Sequence, residues 1–126
     1  MKRIRTFLLL TAIIYAANAF AQVSNLDIDL KNYKYPFDVK FITLNVQQQQ
    51  LRMAYMDVNP SASAGKTIVL LHGKNFNGAY WRQTAQELSS KGFRVIIPDQ
   101  IGFGKSTKPE HFQYTFQQLA ENTKKI

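Results

Sequence analysis

Two short loop motifs carry the residues of this sequence that could take part in chemistry. The first is His72-Gly73-Lys74-Asn75, and the second spans residues 99–106 with the letters DQIGFGKS. Each follows a strongly apolar run, and loops at the ends of buried strands are where α/β proteins place binding and catalytic groups. A glycine after a strand lets the backbone approach a ligand, so the N–H of Lys74, flanked by Gly73 and Asn75, could stabilise an oxyanion.

The other residues of the two motifs have a structural interpretation. His72 could bond to the loop backbone or act as a base, and the structural role is favoured because nothing nearby needs activation. Asp99 is expected to accept hydrogen bonds from N–H groups of its own turn. Gly102 and Gly104 are expected to supply unusual dihedral angles, and Ser106 belongs to the same structural loop.

The second motif also matches part of a phosphate-binding loop, because G-x-x-x-x-G-K-[ST] ends on Gly104-Lys105-Ser106. The first glycine of that pattern falls on Asp99, whose carboxylate would repel phosphate. Pro109 interrupts the helix that should follow, and the dinucleotide pattern G-x-G-x-x-G fails at Thr107. The sequence therefore disfavours a nucleotide and predicts no cofactor. Two isolated histidines without cysteine do not make a metal site either.

The segments that must position these loops alternate between strand and helix patterns. They are strands at residues 38–46, 51–58, 67–71 and 93–98, and helices at residues 79–91 and 114–126. The first two strands predict an antiparallel hairpin with a turn at residues 47–50 and a half-exposed second strand. The other two are continuous apolar runs, typical of strands buried on both faces of a parallel sheet. Gly92 is expected to end the first helix. The sequence thus predicts an α/β fold in which a hairpin precedes a right-handed βαβ unit and a terminal helix.

The N-terminus has the pattern of a secretory signal. Lys2, Arg3 and Arg5 precede the apolar residues 7–17, and Ala19-Phe20-Ala21 is a cleavage site of the A-x-A type. An uncleaved membrane anchor is the alternative, but the apolar run is shorter than the roughly 20 residues that span a bilayer. We expect export to the periplasm or the medium, without a stable membrane anchor. The predicted divisions are a signal peptide at residues 1–21, an extended arm at 22–37 and a domain at 38–126.

Charge does not point to nucleic acid. The formal net charge is +8, and subtracting the three positive charges of the signal leaves +5 for the rest of the chain. The remaining basic residues are scattered, with no run and no aromatic-interleaved stripe, as on a solvated surface. The chain has no cysteine, so export brings no disulfide framework.

Taken together, the motifs resemble the α/β-hydrolase fold family over residues 38–126. Residues 68–73 are similar to the family's third strand and oxyanion loop, and Tyr80-Trp81 to the start of its first helix. Residues 98–106 are similar to the D-x-x-G-x-G-x-S loop after its fourth strand. The branch that they resemble holds esterases, epoxide hydrolases, haloalkane dehalogenases and carbon–carbon bond hydrolases. A halide-binding Asn directly after His-Gly is absent, which weakens the likeness to dehalogenases.

The resemblance implies a hydrolase of small ester-like substrates, present here as an incomplete N-terminal part of its fold. It implies a Ser or Asp nucleophile on a G-x-S-x-G turn after a fifth strand, followed by an acid and a His. The sequence contains no G-x-S-x-G, and its only histidines are His72 and His111. The oxyanion position carries over to the backbone of Lys74, although Lys departs from the usual residue there. We therefore expect the chain alone to be inactive and its third strand, without the fifth, to form an exposed edge through which chains self-associate. The alternative is a non-catalytic exported binding or interaction protein that retains half of the fold.

Overall fold

A computed structural model describes residues 26–62 and 64–126, so the predicted signal peptide and the start of the arm lie outside the described residues. Four strands form one mixed sheet, and the elements follow the predicted order β-β-β-α-β-α. The elements are β1 (Val39–Val46), β2 (Gln49–Val58), β3 (Thr67–Val69), a 3₁₀ turn (Gly78–Trp81), α1 (Arg82–Ser90), β4 (Arg94–Pro98) and α2 (Phe116–Thr123). Among these described helices, none is long and apolar enough to cross a membrane.

The order of strands in the sheet is β1-β2-β4-β3. The strand β2 is antiparallel to both β1 and β4, whereas β3 and β4 are parallel. The predicted hairpin and the predicted parallel βαβ unit are therefore both confirmed. Because β3 and β4 are parallel neighbours, the loops that follow them leave the same end of the sheet side by side.

The hairpin turn is tighter than the sequence predicted. The strand register leaves only Gln47 and Gln48 unpaired, and their φ angles are 50° and 59°. Two consecutive residues with positive φ form a type I′ turn, whose twist matches that of the flanking strands. The predicted turn at residues 47–50 is wrong for its last two glutamines, which belong to β2. The side chain of Gln47 also holds the backbone of Gln113 through two hydrogen bonds, at 2.8 and 2.9 Å.

The core lies on both faces of β2, contrary to the predicted half-exposed strand. Met53 packs in one cluster with Leu44 and Leu51, while Met56 packs on the opposite face in a second cluster. This second cluster includes Ala85 of α1 and Tyr35 of the arm, which cover the face that the sequence left exposed. The arm is therefore part of the packed structure.

The third strand lies at the edge of the described sheet. Burial on both faces, predicted for β3 and β4, holds for β4, whose last four residues are buried. It does not hold for β3 and its extension, where Val69 and Leu71 are 47% and 51% exposed. The difference arises because no strand within residues 26–62 and 64–126 pairs with the outer side of β3.

The predicted helices are present with shorter bounds. Gly92, with a φ of 90°, follows α1 as the sequence predicted, since a left-handed residue ends many helices. The terminal helix begins at Phe116 and not at residue 114, because the Thr115 hydroxyl caps it by accepting a hydrogen bond from the N–H of Gln118 at 3.1 Å.

Asp57 on β2 joins three strands through two cations. Its carboxylate accepts hydrogen bonds from Arg94 of β4 at 2.8 and 3.0 Å and from Lys40 of β1 at 3.0 Å. The hydrogen bonds from Arg94 lower the pKa of Asp57 to about 2, although burial acts in the opposite direction. Since this pKa lies below the usual value of about 3.9, ionised Asp57 stabilises the folded protein at neutral pH. That contribution is lost as the pH falls from about 4 to about 2.

We expect Asp57→Asn to lower the free energy of unfolding by about 1 kcal/mol at pH 6, because both cations are half exposed and solvent screens the pairs. At pH 2 the loss should be much smaller, since at its pKa of about 2 the carboxyl is about half protonated in the folded protein and almost fully protonated in the unfolded chain. Urea unfolding at the two pH values measures the difference. Glu121→Gln, which removes an exposed pair with Lys124 at 3.6 Å, is the control and should change little at either pH. If Asp57→Asn lowered the free energy of unfolding equally at both pH values, the lowered pKa of Asp57 and its stabilising role would be contradicted.

Candidate functional site

The loop after β3 contains a tight turn formed by residues 73–76, called here the 73–76 turn. The N–H of Phe76 donates to the carbonyl of Gly73 at 3.2 Å and closes it. Asn75, at the third position, has a φ of 67°, as a type II turn requires of the Gly or Asn found there. Lys74, at the second position, is exposed and does not have a positive φ.

The two ends of the 73–76 turn are tied to two consecutive residues after β4. At the first end, Nε2 of His72 accepts a hydrogen bond from the N–H of Gln100 at 2.9 Å. At the second end, the N–H of Gly78 donates to Oδ1 of Asp99 at 2.7 Å. Nδ1 of His72 lies 2.9 Å from the carbonyl of Gly73 and, since Nε2 accepts, is the nitrogen that donates. Among the described residues, both ring nitrogens of His72 therefore contact loop backbone.

Asp99 is the polar centre of this region. Its carboxylate is 1% exposed and accepts three hydrogen bonds. The donors are the N–H of Gly78 at 2.7 Å, the N–H of Lys105 in its own loop at 2.7 Å, and the hydroxyl of Tyr35 at 2.6 Å. Burial, and then the bond to Asp99, raises the pKa of Tyr35 well above its usual range, so the phenol stays protonated and donates. Three donors compensate the cost of burying a carboxylate.

The two glycines of the second loop both have positive φ, 94° at Gly102 and 53° at Gly104. A Cβ at Gly104 would overlap the carboxylate of Asp99, and a Cβ at Gly102 would overlap the hydroxyl of Tyr114. The loop therefore folds tightly around the Asp99 side chain only because these positions lack a side chain.

Ser106 and Lys105 are both engaged in structural contacts. The hydroxyl of Ser106 is buried, donates to the carbonyl of Asp99 at 2.7 Å and accepts from the N–H of Ala54 at 2.8 Å. It therefore ties the loop to β2. The ammonium of Lys105 donates to the carbonyl of Leu30 in the arm. The Asp99 carboxylate occupies the centre of the loop, where a phosphate-binding loop would hold its phosphates.

An open cleft of about 600 Å³ lies beside the 73–76 turn. Gly73 and Lys74 line it, together with His72, Gln100 and the mainly apolar side chains Phe103, Tyr114, Phe116 and Leu119. A second apolar groove of about 500 Å³ continues from it along the exposed edge of β3 and α2. Within the described part of the chain, the N–H of Lys74 donates to no acceptor. An unbonded amide in a solvent-accessible turn beside a cleft is available to bind an anion.

Two contributors to this region, Tyr35 and Gly78, escaped the sequence analysis. The sequence does contain a signal for Gly78, namely a glycine directly after Asn77 at the start of a helix. The structure shows why glycine is needed, because a Cβ there would approach Cγ2 of Ile97 to 2.9 Å. Tyr35 left none, because its partner Asp99 is 64 residues away. In residues 26–62 and 64–126, no group of three or more His, Asp or Glu residues could hold a metal ion.

Comparison with known proteins identifies the family. Residues 66–126 match the family described as alpha/beta hydrolase fold. Over 89 residues the chain is 37% identical to a haloalkane dehalogenase of Mycobacterium marinum. This match covers 69% of this chain and 29% of the dehalogenase. Over 83 residues it is 34% identical to cis-3-alkyl-4-alkyloxetan-2-one decarboxylase of Xanthomonas campestris, covering 60% and 27% of the two proteins. The chain belongs to the α/β-hydrolase fold family, a family of hydrolases, and corresponds to the N-terminal part of its members.

Solved structures agree with this assignment. A probable hydrolytic enzyme from Pseudomonas aeruginosa is 47% identical, with a TM-score of 0.75, and the match covers 77% of this chain and 31% of that one. The haloalkane dehalogenase of Paraglaciecola agarilytica is 29% identical, with a TM-score of 0.61, over 71% of this chain and 30% of that one. The predicted family and fold are therefore confirmed. The chain spans less than a third of the length of these relatives.

Proposed function

We propose that these residues belong to a hydrolase of ester-like small molecules, and that the N–H of Lys74 is one donor of its oxyanion hole. The observation that carries the proposal is that Lys74, whose N–H has no acceptor among the described residues, lines the 600 Å³ cleft. Its turn is fixed at both ends, through His72 and Gly78. A donor held in place before the reaction needs no reorganisation when charge develops on the substrate.

In the proposed reaction, a nucleophile attacks the ester carbonyl and the carbonyl oxygen gains a negative charge. The N–H of Lys74 donates to that oxygen, and its charge is better stabilised in the transition state than in the substrate. The nucleophile, whether Ser or Asp, together with its acid and catalytic His, lies outside these 126 residues, since the sequence contains no G-x-S-x-G. The chain alone should then have no turnover.

A binding or interaction protein without catalysis is the second candidate. The exposed apolar groove along β3 and α2 favours it, since such surfaces often mark interaction sites.

Three expectations from the sequence stay predictions. They are export with cleavage after Ala21, the domain division at residue 38, and self-association through the edge of β3.

A fusion protein tests the proposal. In this fusion, residues 26–126 replace the matching segment of the Pseudomonas aeruginosa enzyme, which supplies the remainder of the fold. We expect saturable hydrolysis of p-nitrophenyl acetate by the fusion and none above the buffer rate by the 126-residue chain. A bromoalkane, with halide release as the readout, is the control for dehalogenation and should react far more slowly.

Two results would overturn the proposal. One is a fusion that unfolds cooperatively, and is thus folded, but hydrolyses no ester, which would favour the binding protein. The other is saturable turnover by the 126-residue chain itself, which would mean that its nucleophile lies within these residues.

A further inference from the structure

We propose that Tyr35, in the arm before β1, is a positioning residue that holds the 73–76 turn in place through Asp99. The catalytic consequence rests on the proposed function, whereas the structural consequence can be measured without it. Tyr35 lies outside the segment that matches the family, residues 66–126, and the sequence placed it in an extended arm.

The first step concerns what fixes the second end of the 73–76 turn. The N–H of Gly78 donates to Oδ1 of Asp99 and is the hydrogen bond that joins the chain after the turn to the loop after β4. Gly78 is buried, and a Cβ there would meet the side chains of Ile97 and Met56 at 2.9 and 3.1 Å, so little free space surrounds this part of the chain. The position of the Asp99 carboxylate therefore sets the position of that end of the turn.

The second step concerns what fixes the carboxylate. The oxygen that does not bind Gly78, Oδ2, accepts from the N–H of Lys105 at 2.7 Å and from the hydroxyl of Tyr35 at 2.6 Å. The Lys105 amide lies in the same loop as Asp99 and moves with it. Tyr35 comes from a different segment and is 8% exposed. It packs with Met56 and Ile97 in the core cluster that lies between β2 and α1. Its hydroxyl therefore connects Asp99 to the rigid core, as groups that orient an active-site residue do.

The third step concerns what holds the arm. The ammonium of Lys105 donates to the carbonyls of Leu30 and, at 3.4 Å, Lys31, and lies 5.1 Å from the ring centre of Tyr35. The rings of Tyr33 and Tyr35 form a T-shaped contact with ring centres 5.8 Å apart. The arm also borders a cavity of about 490 Å³ with Asn75 and Phe76 on its other side. The arm is thus fixed beside the turn, with Tyr35 as its contact to the Asp99 side chain.

Tyr35→Phe removes the hydroxyl and keeps the ring, so it is the variant that isolates this hydrogen bond. In the 126-residue chain at high dilution, we expect the amide protons of Gly78 and Lys105, both donors to Asp99, to exchange with solvent about tenfold faster. The amide of Gln100, which lies in the same loop but donates to His72, should keep its rate. Tyr33→Phe alters the neighbouring, partly exposed ring and should leave all three rates unchanged.

In the fusion, Tyr35→Phe should lower kcat for the ester about tenfold and leave KM within about twofold, because the donor acts mainly on the transition state.

Three results of the exchange experiment would overturn the positioning role. The first is an equal increase in the amide exchange rates of Gly78, Lys105 and Gln100, which would show general loosening. The others are an unchanged exchange rate at Gly78, and a Gly78 amide that is not protected from exchange in the unsubstituted chain. If the unsubstituted fusion has no turnover, the proposed function fails, and the exchange rates still decide the role of Tyr35.

Discussion

Lys74→Pro should lower kcat of the fusion for p-nitrophenyl acetate by about 10²- to 10³-fold, the usual effect of removing one oxyanion donor. Proline removes the N–H of residue 74 and leaves the carbonyls in place. Lys74 is the second residue of the 73–76 turn, the position at which proline is favoured, and its own N–H does not close the turn. Gly73 precedes it and tolerates the restriction that proline places on its neighbour.

Lys74→Ala is the matched control, because it removes the side chain and retains the N–H. We expect its kcat to stay within about threefold of the unsubstituted fusion, since the backbone donates the hydrogen bond. Thermal unfolding of both variants should show that each is folded. Equal losses in the proline and alanine variants would assign the role to the lysine ammonium, and no loss in either would remove Lys74 from the reaction.

Gly104→Ala should be the most destabilising single-methyl change in this region, lowering the free energy of unfolding by about 3–4 kcal/mol. One part of the cost is the left-handed backbone, with φ at 53°, which a side chain disfavours by about 1–2 kcal/mol. The other part is the overlap of the new Cβ with the Asp99 carboxylate, whose three hydrogen bonds prevent it from moving away. Urea unfolding of the fusion, followed by circular dichroism, measures the loss.

Gly65→Ala separates the two parts of this cost. Gly65 also has a positive φ, 70°, but a Cβ there would meet no heavy atom within 4 Å. We expect a loss of about 1 kcal/mol, from the backbone alone. If the two alanine variants lost the same amount, the loop would have room to rearrange around Asp99, and Asp99 could not fix Gly78 as described.

The predictability of this fold from sequence depended on how local each signal is. Continuous apolar runs and helical spacing identified β4 and α1, because both patterns are set by near neighbours in the chain. The face of β2 that holds Met56 was misjudged because the residues that cover it, Tyr35 and Ala85, are distant in sequence. The short turn at Gln47 was also missed, because glutamine is not typical of a type I′ turn and here its side chain bonds to Gln113.

The candidate site was predicted in its parts and missed in its connections. Lys74 and Asp99 were singled out because a glycine-containing loop after an apolar strand is a short-range pattern, and the role of Lys74 stays a prediction. The pattern could not predict that Asp99 and Gln100 hold opposite ends of the 73–76 turn. Their hydrogen bonds to Gly78 and His72 join residues that are 21 and 28 positions apart in the chain. The support from Tyr35 comes from farther still, so it depends on the completed sheet and helix packing.

A structure of the fusion carrying a phosphonate ester as a tetrahedral adduct tests the central claim most directly. We predict that the charged phosphonyl oxygen lies about 2.7–3.1 Å from the backbone nitrogen of Lys74, in the cleft beside the 73–76 turn. A phosphonyl oxygen bound by other donors, with the nitrogen of Lys74 more than about 4 Å away, would contradict it.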